Sequence, residues 1–470
     1  MSHAGQRRYL VSPTASASAL HSTPRVFSAA AAVTPIRHTA GGHQVLRMSD
    51  SAAAELATQR PDLRVEEDLP LPASTMPQLP PLATLMATRH RLRVTVRDAV
   101  HGLPLAGVTL FGIGASQTWR ADTGDDGQAE LLCDEPRLRR LIASPRQGHW
   151  SRVITDVLVQ GAMQIELQVL GFLGGHGWGH RMMGFHRVGH RYTGAGVRIA
   201  IIDSGVSALA RDVRVAGGLD TLDGEAVDGW RVDTRGHGTH CAGIAAASGY
   251  GAGVLGGAPL AQLFALKVLP GGFLSDLVEA IEWCVAQRID VLSMSLGSAQ
   301  PSAILQAALH RAYQTGLCCI AAAGNEAGAV AYPAAFDTVI AVSALGAFGS
   351  FPPDSAHALR ISRWSDWRGE LFAASFSNFG PEIAVCAPGV AVVSTVPTGY
   401  AAWDGTSMAC PLVAALAALI LQAHPWARSG DAQQPEYIRA TLRAAAVPMG
   451  MPGDLQGAGL PLAPRALGLD

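Results

Sequence analysis

Long hydrophobic runs separated by helix-like segments dominate the second half of the chain. From about Trp178 onward, the nearly continuous apolar stretches "VRIAIID", "AQLFALKVL", "IDVLSMSLG", "CCIAAAGN" and "DTVIAVSAL" alternate with segments of helical periodicity. Strands that are apolar on both faces are typical of a parallel sheet covered by helices on both sides. We therefore expect an α/β domain over residues 178–470 with a doubly wound parallel sheet. In such sheets, functional side chains collect at the carboxyl ends of the strands.

The two regions before this domain have different patterns. In "RLRVTVRDAV", Leu92, Val94 and Val96 alternate with polar residues, and "GVTLFG" and "QIELQVL" are further strand candidates. This pattern predicts a small all-β sandwich over residues 90–170. Near the N-terminus, "RRYLVSP", "HQVLRMSD" and "LRVEEDL" indicate strands, and "SAAAELATQRP" indicates a helix opened by Ser49 or Asp50. We expect a small α+β domain at residues 1–72, a proline-rich linker at 73–89 and a second short linker at 171–177.

Composition narrows the class of protein. The 470 residues are 49% hydrophobic and 15% charged, which excludes a mostly disordered chain. A formal net charge of −2 gives no reason to expect a nucleic acid or an acidic membrane surface as partner. No apolar run reaches the ~20 residues that a membrane-spanning helix needs, so we expect no membrane span.

The cysteines and the N-terminal composition bear on the compartment. The seven cysteines are odd in number and scattered, which favours reduced thiols and a cytoplasmic location. The first 49 residues contain five arginines and no acidic residue. A secreted or organellar location after removal of a leader therefore stays an alternative.

Four polar residues stand at predicted strand ends and helix starts. "VRIAIIDSGV" ends a strand at Asp203, and "RGHGTHCAGIAAAS" opens a helix at His237. "CCIAAAGNE" ends a strand at Asn325, and "DGTSMACP" opens a helix at Ser407. Taken singly, each has a structural explanation as a turn residue, a packed histidine or a helix cap. Together they supply the nucleophile, base, orienting carboxylate and oxyanion donor that acyl transfer to a serine requires.

The motifs "IIDSG", "HGTHCAG", "SMSLG", "AAAGNE" and "GTSMACP", in this order, resemble the subtilisin family of serine proteases over about residues 178–467. The chain order of acid, histidine and serine differs from that of α/β-hydrolases. The resemblance implies a subtilisin-like fold and a serine endopeptidase that hydrolyses peptide bonds through an acyl-enzyme. It also implies a catalytic triad and an oxyanion-hole residue at Asp203, His237, Ser407 and Asn325.

The resemblance extends to the substrate-binding residues. The family's substrate-binding edge corresponds to Ser295, Leu296 and Gly297, which should pair with an extended peptide by β-augmentation. Small residues that leave room for a large apolar side chain fall on the walls and base of the primary specificity pocket, at Ala322, Ala323, Gly324 and Ala331. Glu326 at the rim either adds tolerance for Lys or Arg or is a solvated surface charge.

The family's chemistry requires no cofactor, and we expect no catalytic metal. "AAASGYGAGVLG" corresponds to the family's calcium loop, but Tyr250 stands where an amide ligand is common. A weak structural calcium site with Asp212 as a ligand is therefore the most that we expect. "HGWGHRMMGFHRVGH" contains four histidines at spacings compatible with zinc, but no Cys or acidic residue accompanies them, so we expect no metal there either.

The regions outside the protease-like part raise the question of regulation. Residues 7–70 resemble the propeptide-inhibitor domain of subtilases, which implies a zymogen inhibited by its own N-terminal region. Residues 90–170 are similar to carboxypeptidase-regulatory or immunoglobulin-like modules. An insertion at 346–375, with Trp364, Trp367 and Phe372, forms either a docking surface or a packed mini-core. The alternatives to a general endopeptidase are a catalytically silent protease-like scaffold and a narrow processing peptidase for one partner.

Overall fold

A computed structural model describes residues 6–14, 33–39, 41–72, 90–171, 174–222, 227–249, 253–366 and 368–470. The expected linker at 73–89, together with Tyr250 and Trp367, lies outside the described residues.

The N-terminal region is an antiparallel sheet with one helix against it. Its order is β2-β3-β1-β4, and its elements are β1 (Arg7–Pro13), β2 (Thr34–His38), β3 (Gln44–Met48), α1 (Asp50–Gln59) and β4 (Leu63–Glu67). The Ser49 hydroxyl caps α1 by accepting the Ala52 N–H at 3.2 Å. Alternation along the strands gives the sheet two apolar faces. Tyr9 and Leu46 belong to a small core with α1, whereas Leu10 and Val45 belong to the core of the C-terminal region.

The second region is a sandwich of two sheets, as the alternating pattern predicts. The strands are β5 (His90–Asp98), β6 (Thr109–Ile113), β7 (Thr118–Asp122), β8 (Gln128–Cys133), β9 (Arg137–Ser144), β10 (Arg152–Leu158) and β11 (Ala162–Leu167). One sheet has the order β10-β9-β6-β7 and the other β11-β5-β8. Leu92, Val94 and Val96 of β5 point into the core between them, at 2% exposure or less.

The C-terminal region is built on a parallel sheet, which confirms the expected α/β class. The parallel strands lie in the order β13-β14-β12-β15-β16-β17-β20, and antiparallel β19 and β18 extend the sheet from β17. The strands are β12 (Arg198–Asp203), β13 (Val215–Asp220), β14 (Gln262–Lys267), β15 (Val291–Met294), β16 (Cys318–Ala322), β17 (Val339–Ala347), β18 (Ile361–Ser365), β19 (Leu371–Ala374) and β20 (Ile383–Pro388). Two further pairs are β21 (Val392–Val396) with β22 (Gly399–Trp403) and β23 (Ala446–Val447) with β24 (Leu460–Pro461).

Helices cover both faces of this sheet. They are α2 (Trp178–Met182), α3 (His237–Ala246), α4 (Leu274–Ala286), α5 (Ala303–Gln314), α6 (Thr406–Ala423), α7 (Gln433–Ala444), α8 (Gly453–Gln456) and α9 (Ala463–Ala466). Among the described helices, α6 alone is long and apolar enough to cross a membrane, and 89% of its apolar window is buried inside the protein. A helix that is hydrophobic all round and this deeply buried is a core helix. Its first turn carries Ser407.

The insertion at 346–375 packs between the parallel sheet and the sandwich. Phe372 on β19 is fully buried in the main core, whereas Trp364 on β18 is 41% exposed. The Val153 N–H of β10 donates to the Asp354 carbonyl at 2.7 Å. The Trp150 ring meets the His357 ring edge-on, with 5.6 Å between centroids. Of the two expectations for this segment, the packed core therefore applies to Phe372.

Candidate active site

Two of the predicted catalytic residues are in direct contact. Asp203 is the last residue of β12, and His237 is the first residue of α3. The Nδ1 atom of His237 lies 2.8 Å from both carboxylate oxygens of Asp203. Both residues are buried, since His237 is 8% exposed and Asp203 is 1% exposed. Because a carboxylate only accepts, Nδ1 carries the proton, and Nε2 of the neutral ring is left as the base.

Opposing effects act on the pKa of His237. Burial alone lowers it, because the charged imidazolium loses solvation. The negative charge of Asp203, its hydrogen bond and the charge of Asp233 outweigh burial and hold the pKa of His237 above its ordinary value of 6.5. The site therefore stabilises the imidazolium that a general base becomes after taking a proton.

A second buried carboxylate, Asp233, organises the start of α3. It accepts hydrogen bonds from the Gly236 N–H at 2.7 Å, from the Thr239 N–H at 2.9 Å and from the Ser204 hydroxyl at 2.9 Å. The Ser204 hydroxyl accepts the Gly238 N–H in turn. These bonds fix the turn that presents His237 to Asp203. Sequence reasoning missed Asp233, because its neighbours along the chain, "RVDTRG", contain no family motif.

Ser407 lies in the first turn of α6 and is 5% exposed. Its hydroxyl donates to the Ser295 carbonyl at 3.4 Å, and the Ser295 hydroxyl donates back to the Ser407 carbonyl at 2.9 Å. This reciprocal pair ties the first turn of α6 to the end of β15. The Ser407 hydroxyl is thus directed at Ser295. Catalytic hydrogen bonds are often long or misdirected before substrate binds, so this orientation agrees with a nucleophile at rest.

The side chain of Asn325 is oriented by its neighbour on the serine loop. Its Oδ1 atom accepts from the Thr406 N–H at 2.9 Å and from the Thr406 hydroxyl at 3.0 Å. Since the amide oxygen bonds Thr406, the donor group Nδ2 lies on the opposite side of the amide group, and Asn325 lines the cleft with Ser407. An oxyanion requires donors in this position.

The predicted substrate residues line one cleft of about 620 Å³ beside Ser407. Those that line it are Ser295, Leu296, Gly297, Ala322, Gly324, Asn325, Glu326 and Ala331. Ala323 is the exception, because successive side chains of a strand point to opposite sides. Its methyl group lies fully buried in the core beneath the cleft, so it is not a wall of the pocket.

Glu326 is exposed at the rim of this cleft and is held in place. One of its carboxylate oxygens, Oε2, accepts the Asn325 N–H at 2.8 Å and the Asn378 amide at 2.9 Å. Asn378 also accepts the Glu326 N–H, at 2.8 Å. The Glu326 carboxylate is therefore fixed at the rim of the cleft. Tolerance of the specificity pocket for Lys or Arg side chains stays a prediction.

The N-terminal region reaches into the same cleft. Residues 69–72 run beside the start of α4, with an antiparallel bridge between Pro70 and Phe273. The Leu71 N–H donates to the Gly272 carbonyl at 2.8 Å, and Leu69, Pro70 and Pro72 line the cleft with Ser407. The segment "PGGFL" at 270–274 thus contacts an extended chain.

Two carboxylates of the N-terminal region bind the N-termini of α4 and α5. Asp68 accepts the Ser275 N–H at 2.8 Å, and Glu66 accepts the Ala303 N–H at 3.1 Å and the Ser302 hydroxyl at 2.5 Å. The N-terminal end of a helix attracts negative charge, because its first N–H groups lack intrahelical partners.

Two thiols lie beneath the catalytic residues. Cys241 is fully buried, and its thiol contacts the Ser407 carbonyl at 3.4 Å. Among the described residues, the Cys241 sulfur, Asp203 and His237 are the one group that offers three possible metal-ligand atoms within 4.8 Å of one another. Burial raises the pKa of Cys241 well above its ordinary value, so it is a protonated thiol. Cys410, another fully buried thiol, contacts the Ser293 hydroxyl at 3.3 Å. The sequence did not indicate these contacts of either thiol.

Side chains of the insertion hydrogen-bond the loop that precedes Ser407. The buried carboxylate of Asp404 accepts from His357 at 2.6 Å, from Arg360 at 3.2 Å and from the Ala391 N–H at 2.8 Å. Burial alone would raise the pKa of Asp404, but His357 and Arg360 hold it below the usual range. The insertion thereby fixes the backbone three residues before Ser407, a function that the sequence does not indicate.

The candidate metal sites provide few free ligands. His180 donates from its ring to the Ile244 carbonyl at 2.8 Å, and burial lowers its pKa to about 4, which is typical of a packed histidine. In the candidate calcium region, the Asp212 carboxylate accepts the Tyr400 hydroxyl. The loop at 246–257 contains no acidic residue. A calcium ion takes six to eight oxygen ligands, so the described residues do not fit a strong site.

Sequence comparisons agree with this geometry. The pattern that defines the subtilase family matches residues 194–459, more than half of the chain. The chain is 40% identical over 243 residues to subtilisin DY of Bacillus licheniformis, an alignment that covers 50% of this chain and 80% of that protein. It is also 40% identical over 243 residues to subtilisin E of Bacillus subtilis, covering 50% of this chain and 58% of that protein.

A further relative is the thermostable alkaline protease of Halalkalibacterium halodurans, which is 38% identical over 279 residues. That alignment covers 58% of this chain and 68% of the relative. Members of this family need no cofactor for catalysis. With a parallel sheet, a family match over more than half of its length and relatives at 40% identity, the chain belongs to the subtilase family and is a subtilisin-like serine endopeptidase.

Proposed function

We propose that Asp203, His237 and Ser407 form the catalytic triad of this endopeptidase and that Asn325 donates to the oxyanion. The observation that carries the proposal is the buried contact of 2.8 Å between His237 Nδ1 and the Asp203 carboxylate. It leaves Nε2 of His237 as the base for the hydroxyl of Ser407, which lies in the first turn of α6. No metal or cofactor takes part in the steps below.

The reaction begins with rotation of the Ser407 side chain from the Ser295 carbonyl toward Nε2 of His237. The hydroxyl oxygen attacks the carbonyl carbon of the scissile peptide bond, and its proton moves to Nε2. The Asn325 amide and the Ser407 N–H donate to the oxyanion of the tetrahedral intermediate. The intermediate collapses, the peptide C–N bond breaks, and the leaving amine takes the proton from His237. A water molecule then attacks the acyl-enzyme carbonyl and gives its proton to His237. The ester bond to Ser407 breaks, and the serine oxygen takes that proton back.

The N-terminal region is proposed to act as an intramolecular inhibitor of a zymogen. Leu69, Pro70 and Pro72 line the cleft that contains Ser407, where a substrate chain would bind. Polar contacts hold the region in place, since Arg37 pairs with Asp276 and Glu279, and His43 lies 2.7 Å from Glu282. A chain that lies along the cleft competes with substrate until it is cut and released.

The domain organisation that we propose has the inhibitory region at 1–72, the sandwich at 90–170 and the catalytic region at 178–470. A cytoplasmic location remains our proposal for the compartment, with a secreted or organellar location as the alternative. The seven cysteines support it, since all are buried and free.

Ser407→Ala removes the nucleophile. The variant should lose labelling by a fluorophosphonate probe and lose casein hydrolysis, with a fall in turnover of about 10⁶-fold. Ser429→Ala, which changes an exposed serine on another loop, is the control and should keep both. Labelling of the Ser407→Ala protein at the wild-type rate would contradict the assignment.

Asn325→Asp keeps the acceptor that holds Thr406 and removes the donor. We expect kcat to fall by about 10²–10³-fold with little change in KM, because the oxyanion forms only after substrate has bound. The measurement is steady-state kinetics on a fluorogenic peptide, with the exposed Gln314→Glu as a matched amide-to-acid control. A kcat close to that of the wild-type enzyme would refute the role of Asn325.

Asp233→Asn tests the electrostatics of His237. The base must be neutral to act, so kcat/KM should fall as the pH drops through the raised pKa of His237. Removal of the Asp233 charge makes the imidazolium less stable, which lowers that pKa, and the acid limb of the pH profile should move to lower pH. Asp125→Asn, on an exposed turn of the sandwich, should leave the limb in place. An unchanged or raised midpoint in Asp233→Asn would show that Asp233 does not act on His237.

The zymogen proposal predicts the processing site. Because Pro72 lies in the cleft with Ser407, the purified active protein should begin between residues 73 and 90. Ser407→Ala should retain the N-terminal region, since processing depends on the nucleophile. Intact-mass spectrometry measures both, and a wild-type protein that is active with residues 1–72 still attached would count against self-inhibition.

A further inference from the structure

We infer that the β-sandwich forms the far wall of the substrate cleft and selects acidic side chains on the C-terminal side of the scissile bond. This inference rests on the proposed function. A second cleft, of about 660 Å³, lies on the His237 side of the catalytic residues and is lined by both the sandwich and the protease region.

The position of the leaving amine indicates that this second cleft binds the substrate residues after the scissile bond. Leu69, Pro70 and Pro72 line the cleft beside Asn325 together with Ser407, and the proposed processing cut falls after Pro72, so this cleft takes the residues before a scissile bond. Residues after a scissile bond must leave on the opposite side. His237 gives its proton to the leaving amine, so that amine has to lie on the side of the imidazole. The second cleft contains His237, Trp403 and Asp404.

The sandwich turns the outer face of one sheet to this cleft. Phe111 on β6 pairs with Ile142 on β9, and both line the cleft, whereas Leu110, Leu141 and their neighbours face the sandwich core. Ile142 is 4% exposed although it points away from that core. The contact surface is therefore apolar and closely covered, as expected of a fixed wall.

Backbone contacts hold the wall against the protease. The Gly148 N–H of the sandwich donates to the Tyr400 carbonyl at 2.8 Å, and the Thr398 hydroxyl donates to the Gln147 side chain at 2.9 Å. The Ser151 hydroxyl accepts the Ala356 N–H of the insertion at 3.0 Å. The sandwich thus joins both the β21–β22 hairpin and the insertion, which fixes the width of the cleft.

The charges in this cleft favour an acidic substrate. Its two carboxylates are buried and already hydrogen-bonded, Asp203 to His237 and Asp404 to His357 and Arg360. Arg146 of the sandwich and Arg235, two residues before His237, are exposed in the cleft, and among the described residues neither guanidinium forms a salt bridge or a side-chain hydrogen bond. A peptide with Asp or Glu after the scissile bond meets two arginines and an apolar wall.

The test is cleavage of a quenched-fluorescent peptide library by enzyme purified after expression of the full chain. Wild-type enzyme should prefer Asp or Glu within the first four residues after the scissile bond. Arg146→Glu and Arg235→Glu should each lower the ratio of kcat/KM for acidic over neutral peptides by roughly threefold to tenfold, the size expected when a weak exposed attraction becomes a repulsion. The preference should also weaken at high salt.

Arg93→Glu, on the other sheet of the sandwich, is the matched control and should leave the ratio unchanged. A ratio that neither cleft variant alters, in an enzyme that hydrolyses the library, overturns the role of the sandwich and leaves the catalytic proposal intact. A wild-type protein that has lost residues 1–72 and still hydrolyses no peptide overturns both.

Discussion

The contact between the Asp203 carboxylate and the His237 imidazole is the constraint around which the rest of the site is arranged. A carboxylate at 1% exposure is expensive to bury without a partner. Here the cost is offset by the imidazole and by the Ser204 N–H at 2.7 Å. The parallel sheet makes this possible, because β12 delivers Asp203 and β15 delivers Ser295 to one edge.

The other parts of the molecule restrict motion around that pair. Asp233 fixes the turn before α3, Asp404 fixes the turn before α6, and α6 itself is buried on all sides. Each turn has its own buried carboxylate, and each carboxylate is saturated with donors. Such satisfied polar networks are rigid. A preorganised site spends little free energy on reorganisation when charge develops during the reaction.

Much of this arrangement could be predicted from the sequence. Residues at strand ends and helix starts, such as Asp203 and His237, occupy the predicted positions because apolar runs define the parallel strands. Asp404, His357 and Cys241 could not be predicted as site residues, since their roles depend on contacts between segments that are distant along the chain. Ala323 shows a finer limit. Its position one residue after the strand end decides which side of the backbone its methyl group takes, and the family motif contains no information about that.

The chain connection between the cleft and the sandwich has a kinetic consequence. Pro72 lines the cleft, and His90 is the first residue of β5. A cut between these points leaves the new N-terminus attached to the sandwich, which stays anchored beside the cleft. Under the proposed processing, this new N-terminus is a product tethered to the enzyme, and a tethered ligand competes at an effective concentration that its tether sets. Self-processing of this kind would make the enzyme's first turnover create a competitor that cannot diffuse away and that external substrates must displace.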